Sequence, residues 1–347
     1  MASDIVAPEQ RSQTIRRLLF TAGVLLVYRL GCQVPIPGLN TEALAGLSGM
    51  LKTEAVSLFA LGVTPFFSIL FVFELIKLIV PPLSRWETSE PSHAQRLGRI
   101  IYLTALVTAG FQARGLANAL YGITGLIDES GWEIPIAMTL VAGAALLFWL
   151  GERITLHGLG NGFWLLLITP MLVAAPSVAA GSLELGRQGV IPTAALGVAV
   201  VFLAVATALI AMTSSAGRAS TENRVSGADF VTVWPPLFAS YISGFVVSLF
   251  ALEASGVAHL LLMAALIAAF NWLQWLGAAP GTLRPVWIIA LVQIFVCVGA
   301  ELLTDALTLP FSIGGAWLIV IVTTAMSCLR AIGWQAKDFR TQEPTAA

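Results

Sequence analysis

Ten stretches of the chain are apolar over the roughly 20 residues that a helix needs to cross about 30 Å of hydrocarbon. They lie at 17–34, 57–81, 98–121, 134–151, 161–178, 190–212, 231–252, 257–277, 284–302 and 311–332. The connections between them are short. The largest on one side are 35–56 and 122–133, and the largest on the other is 82–97. None is long enough to fold as a soluble domain. The pattern therefore predicts an all-α membrane protein of ten transmembrane helices, with both termini on the same side. No sequence repeat is evident, but ten spans can divide into two five-helix halves, 17–178 and 179–332, between tails at 1–16 and 333–347. Inverted repeats of this kind leave little sequence trace.

Charge orients the chain. With both termini inside, the outer side holds Arg29, Lys52, Arg114 and Arg187, and the inner side holds the other 14 of the 18 basic residues. This asymmetry places the termini in the cytoplasm. Composition agrees with a membrane protein: 57% of residues are hydrophobic, 11% are charged and mean hydropathy is +0.87. A net charge of −1 argues against nucleic-acid recognition. Cys32, Cys297 and Cys328 are far apart and match neither a disulfide framework nor a metal site. The first apolar run has no small-residue cleavage pattern and reads as a retained span.

The second apolar segment carries Pro65, Glu74 and Lys77. Lys77 is expected near the cytoplasmic end, where its stem can snorkel to the headgroups. Glu74 is expected about 10 Å into the membrane from that cytoplasmic end, by helical rise. An acid at that depth faces a partner or a polar path rather than lipid. Pro65 is expected to kink this span, and Pro235-Pro236 the seventh, just after Asp229. An acid near the cytoplasmic end and a proline inside thus recur in spans two and seven, as in two bent walls.

No catalytic constellation is visible. His93, His157 and His259 are placed in separate loops, and no metalloprotease or nucleophile-elbow motif occurs. The chain is not expected to be an enzyme or to use a cofactor or metal. The "GLGNG" run, Gly158–Gly162, has the look of a phosphate loop, but no strand precedes it. It reads as a tight turn opening the fifth helix.

Five stretches together resemble the SecY family, the channel subunit of the Sec protein translocase. They are "YRLGCQVPIPGLN", "SLFALGVTPFFS", "LGERITLHGLGNG", "VWPPLFAS" and "LPFSIGGAWLIV", in the family's order along the whole chain. The resemblance implies two pseudo-twofold-related halves closing like a clamshell in the bacterial inner membrane. Unfolded polypeptide would pass an apolar ring at the waist, and hydrophobic segments would leave sideways between spans two and seven. The ring matches Val63, Phe67, Leu167, Leu237 and Val320. The lateral gate matches Glu74, Gln112 and Asp229, with Pro65 and Pro235 in its walls. Glu74 and Asp229 fall where the family has a glutamine and an asparagine, and two acids there repel unless a proton or cation joins them. SecE-like and SecG-like small subunits and the lipid bilayer are the implied partners.

Some features depart from the family. Only 16 residues, 41–56, separate "PIPGLN" from "SLFALG", short for a plug. The inner loops at 213–228 and after span eight hold only Arg218, Arg224 and Arg284, which argues against SecA or ribosome docking and for a specialised channel or insertase. Two other readings stay open at this point: a secondary transporter using Glu74 and Asp229 as a proton or cation site, and a non-conducting scaffold.

Overall fold

The computed structural model describes residues 8–46, 53–123, 125–127, 133–216, 230–250, 256–277, 286–307, 309 and 314–332. Its α-helices are α1 (Pro8–Gly31), α2 (Thr41–Gly46), α3 (Thr64–Ile79), α4 (Pro81–Ser89), α5 (Pro91–Tyr121) and α6 (Glu133–His157). They continue as α7 (Gly162–Arg187), α8 (Thr193–Ala216), α9 (Phe230–Phe250), α10 (Val257–Gly277), α11 (Val286–Ala306) and α12 (Gly315–Ala331). Each of the ten apolar segments overlaps at least one of these helices. Among the described residues, seven helices are long and apolar enough to cross a membrane, or up to eight if α3 and α4 form one bent span.

Small residues set how closely the helices approach. On α5, Leu97, Ile101, Ala105, Ala109, Ala113 and Ala117 recur every fourth residue and are all buried. Such a row faces one side of a helix, and its alanines let α3 and α6 pack tightly against α5. Helix α3 lies between α5 and the pair α9–α10, while α7 reaches α8 and α12. The largest apolar cluster sits where these helices meet. It includes Phe67 and Leu70 of α3, Trp164 and Ile168 of α7, Trp234, Leu237 and Phe238 of α9, and Ile319 and Val320 of α12.

Several expectations are corrected. The 57–81 segment is not one straight helix. Residues 57–63 form a bridge and turns, with Leu58 N–H donating to Val34 O (2.8 Å) and Gly62 at φ +56°. Pro65 then falls in the first turn of α3, where its missing N–H would be unpaired anyway. It starts the helix rather than kinking it. At the other end, α3 and α4 meet at 112°. Val80 precedes Pro81, which drives it out of the α region (φ −117°, ψ 79°), and α3 stops there. The expected inner loop 82–97 is therefore α4, a break at Glu90 and the first turns of α5. Helix α1 starts at Pro8, ahead of the apolar run that begins at 17. The fifth helix outruns its predicted end at 178 and reaches Arg187, with Pro170 and Pro176 inside. The three histidines lie in helix ends, not loops.

Candidate functional site

Phe67, Leu70, Glu74 and Leu78 form the buried stripe of α3, spaced three or four residues apart as one helix face requires. Phe71 is one turn beyond Phe67. Helix α9 answers with Trp234, Phe238 and Tyr241 at the same spacing. The rings interlock across the α3–α9 line: Phe71 lies 5.0 Å from Phe238 and 5.3 Å from Tyr241, both edge-on. Phe67 lies 5.8 Å from Tyr241 and stacks on Trp234 at 6.4 Å. Trp164 of α7 and Trp317 of α12 close the group from the other sides, at 5.6 Å from Trp234 and 6.2 Å from Phe67. Offset and edge-on aromatic pairs each contribute about 0.5–1.5 kcal/mol beyond area burial, so this seam is closed by several small terms acting together.

Four of the five residues matched to a ring meet here. Phe67, Leu237 and Val320 are buried in the main cluster, and half-buried Leu167 packs against it. Leu167 also packs against the neighbouring cluster that holds Val63. One apolar cluster thus joins α3, α7, α9 and α12.

Below the seam, toward the α3–α4 bend, lies a buried charge cluster. Lys77 Nζ donates to Glu74 Oε1 at 2.6 Å, within α3, and to Glu87 Oε2 at 2.9 Å, across the bend on α4. The side chains of Lys77, Glu74 and Glu87 are 2%, 0% and 2% exposed, so Lys77 does not snorkel to the headgroups. Buried ions are tolerated only when paired and hydrogen-bonded, and the 112° bend brings Glu87 back to within reach of Lys77. Glu74 therefore has a cation partner on its own helix. Asp229, its expected gate companion, lies outside the described residues. Gln112 is half-buried on α5 between Ala109 and Ala113. Ala109 packs in a cluster with Leu61, Phe66 and Ile69, at the opposite end of α3 from Glu74. The structure does not bring Gln112 and Glu74 together.

Pro235 and Pro236 lie inside α9. Lacking an N–H, Pro236 leaves Thr232 O without its donor one turn on. That carbonyl is met from another helix: Gln293 Nε2 of α11 donates to it at 3.1 Å. Gln293 Oε1 accepts from Asn271 Nδ2 of α10 at 2.8 Å, and Asn271 also donates to Ile267 O at 2.8 Å. Both amides are buried (2% and 0% exposed).

The GLGNG run is a turn that ties four helices together. Asn161 caps α7, accepting from Phe163 N–H (3.0 Å) and Trp164 N–H (3.3 Å). Gly162 N–H donates to Thr155 Oγ1 of α6 (2.9 Å), and Leu159 N–H to Thr21 Oγ1 of α1 (2.9 Å). Gly160 has φ +68° and faces Cys328 of α12. On the second half of the chain, His259 Nε2 of α10 lies 3.2 Å from Glu301 Oε2 of α11.

Comparison with known proteins matches this arrangement to a family. The SecY family profile covers residues 57–277, more than half of the chain. The chain belongs to the SecY family. SecY, the protein translocase subunit of Escherichia coli K12, is 32% identical over 194 residues, which is 50% of this chain and 44% of that protein. SecY of Pseudomonas aeruginosa is 32% identical over 211 residues, or 56% and 47%. The chain thus covers about half the length of these relatives. Two solved structures share the fold. One, on how the plug domain of the SecY protein stabilises the closed translocation channel, superposes with a TM-score of 0.56 at 13% identity over 92% of each chain. The other, described as a protein conducting channel, gives 0.53 and 13% over the same shares.

The resemblance to SecY singled out ring positions but not the aromatic seam beside them. Its signal is in the sequence, as aromatics at matching turns in the second and seventh apolar segments. Glu87 was equally missed, because 82–97 read as a loop and nothing local reports that α4 folds back.

Proposed function

We propose that this chain is the channel-forming subunit of a protein translocase in the bacterial inner membrane. It passes unfolded polypeptide through a waist made by Val63, Phe67, Leu167, Leu237 and Val320, and releases apolar segments sideways between α3 and α9. The observation that carries the reading is the convergence of Phe67, Leu167, Leu237 and Val320 in one apolar cluster beside the α3–α9 aromatic line. The full arrangement is ten spans in halves 17–178 and 179–332, with cytoplasmic termini. It works with small SecE-like and SecG-like membrane subunits and performs no chemistry of its own. Only Arg218, Arg224 and Arg284 are left in the inner loops that would meet SecA or a ribosome, so the channel is specialised for other delivery.

Helix α3 opens with Pro65 and is fastened to α4 through Lys77, while α9 carries Pro235 and Pro236. In this reading Glu74, Gln112 and Asp229 belong to the gate, and Lys77 fastens the α4 end of the α3 wall. The test is a photocrosslinking residue at Phe67 in the full chain in cells. Crosslinks to translocating or inserting polypeptides are expected, with few from the lipid-facing position Phe111, which is 76% exposed. Equal labelling at both positions would refute the pore assignment.

A further inference from the structure

The structure assigns Gln293 as a positioning residue for the α3–α9 gate. It supplies the hydrogen-bond donor that Pro236 withdraws from α9, and so fixes how α9 presents Trp234, Leu237 and Phe238 to α3. The inference rests on the channel reading above. Thr232 O is one turn before Pro236, in the position where an ordinary residue at 236 would donate to it. Thr232 is 2% exposed, so its carbonyl has no water to turn to and must find a donor within the protein. Gln293 Nε2 is that donor, at 3.1 Å and from a different helix. The amide cannot be turned the other way, because its oxygen would then face the oxygen of Thr232. Asn271 enforces the same choice from the far side, donating to Gln293 Oε1 at 2.8 Å while anchored on Ile267 O at 2.8 Å.

The consequence is mechanical. Trp234, Leu237 and Phe238 follow Thr232 within two turns, and all are fully buried at the seam or waist (0% exposed). Two consecutive prolines would otherwise leave this end of α9 free to hinge. Tied through Thr232 O to α11 and α10, it moves with them as one body. Opening then separates the rings at the α3–α9 line and does not bend α9 at its prolines. An ordinary interhelical polar contact would steady α10 and α11 without depending on Pro236, and that difference can be measured.

Four full-length chains would be compared in membranes: wild type, Gln293→Met, Pro236→Ala and the double variant. Methionine keeps the volume of glutamine and removes the donor. Alanine at 236 restores the N–H within the helix. Gln293→Met is expected to lower the thermal unfolding midpoint by several degrees, and Pro236→Ala to recover most of that loss in the double variant. In a background with Cys32, Cys297 and Cys328 as alanine, spin-labelled cysteines at the exposed positions Val72 of α3 and Phe245 of α9 report seam closure without replacing any seam ring. The closed-to-open ratio read from their distance distribution is expected to fall about tenfold with Gln293→Met, the scale of one unsatisfied buried carbonyl, and to return with Pro236→Ala. A midpoint not rescued by Pro236→Ala would overturn the pairing of Gln293 with the proline gap. Rescue of the midpoint without any response of the seam would overturn the positioning role. Failure of the channel reading would show separately, as absent polypeptide crosslinks from Phe67, because the melting cycle does not depend on transport.

Discussion

Phe71 of α3 meets Phe238 of α9 edge-on, with ring centroids 5.0 Å apart and planes inclined by 78°. This is the shortest ring contact across the line where the chain is proposed to open. Phe71 also touches Tyr241 and Trp234, so Phe71→Ala removes three contacts at once. At about 0.5–1.5 kcal/mol each, the loss should shift a closed-to-open ratio by about one to three orders of magnitude. Phe71→Ala is therefore expected to raise basal ion conductance in planar bilayers, with Phe71→Leu in between. Conductance that ignores both variants would show that the seam does not hold the channel shut.

The buried ion cluster makes a prediction about stability. Lys77 bridges Glu74 on its own helix and Glu87 across the 112° bend. Removing one partner of a buried pair costs about 3–5 kcal/mol, because the remaining charge stays buried without compensation. Lys77→Met should lower the unfolding midpoint in detergent by several degrees, and adding Glu87→Gln should recover part of the loss. Protease access to the α3–α4 corner should rise in step, since Lys77 is what fastens α4 back onto α3. A Lys77→Met protein that melts like wild type would mean the bend is held by Pro81 and packing alone.

The sequence revealed much of the framework and little of how its pieces fit. Apolar length and the proline and glycine punctuation placed a helix in every one of the ten segments, because local hydropathy and backbone chemistry decide where a membrane helix can be. Pro65 shows the limit. The same residue kinks a helix interior or starts a helix, and the outcome depended on residues 57–63 being drawn into a bridge with 34–36. Lys77 shows another. Snorkelling is the sound expectation for a lysine near a helix end, but Glu87 was invisible as a partner until the chain turned by 112° at Val80–Pro81. Gln293 and Asn271 carried no motif at all. Their role appears only when α9, α10 and α11 are packed and the proline gap faces them. Ring and gate positions came from the resemblance to a family, and apolar identity at mid-span would not have selected them.

Glycines in the turn between α6 and α7 separate tight packing from idle flexibility. A Cβ on Gly162 would overlap Gly151 O and the Ile154 side chain, and one on Gly160 would sit 2.9 Å from Cys328 Sγ at φ +68°. A Cβ on Gly98 or Gly110 of α5 would meet nothing within 4 Å. Gly162→Ala is expected to reduce folded yield severely and Gly160→Ala to lower the melting midpoint. Gly98→Ala and Gly110→Ala should be neutral or stabilising by about 0.5–1 kcal/mol, the usual gain in a helix interior. Purified yield and thermal melting of the four variants would check this. A tolerated Gly162→Ala would mean that α6 and α7 can separate at their junction.

Leu237 and Val320 face one another's helices inside the main cluster, each fully buried, and they test the waist most directly. An apolar constriction blocks ions because water leaves it, and one polar side chain is enough to hold water there. Leu237→Asn or Val320→Asn should therefore raise ion leak, while Leu237→Ile and Val320→Leu should leave it low. Size alone cannot mimic this result, since asparagine and leucine have similar reach but opposite effects on wetting. The polar variants should also relax selection among translocated segments, because a hydrated waist costs an apolar segment less to keep out of lipid. Bilayer conductance and insertion of a graded series of apolar test segments would measure the two effects together. If both asparagine variants conduct like wild type, the buried knot is packing between helices and not the waist of a channel.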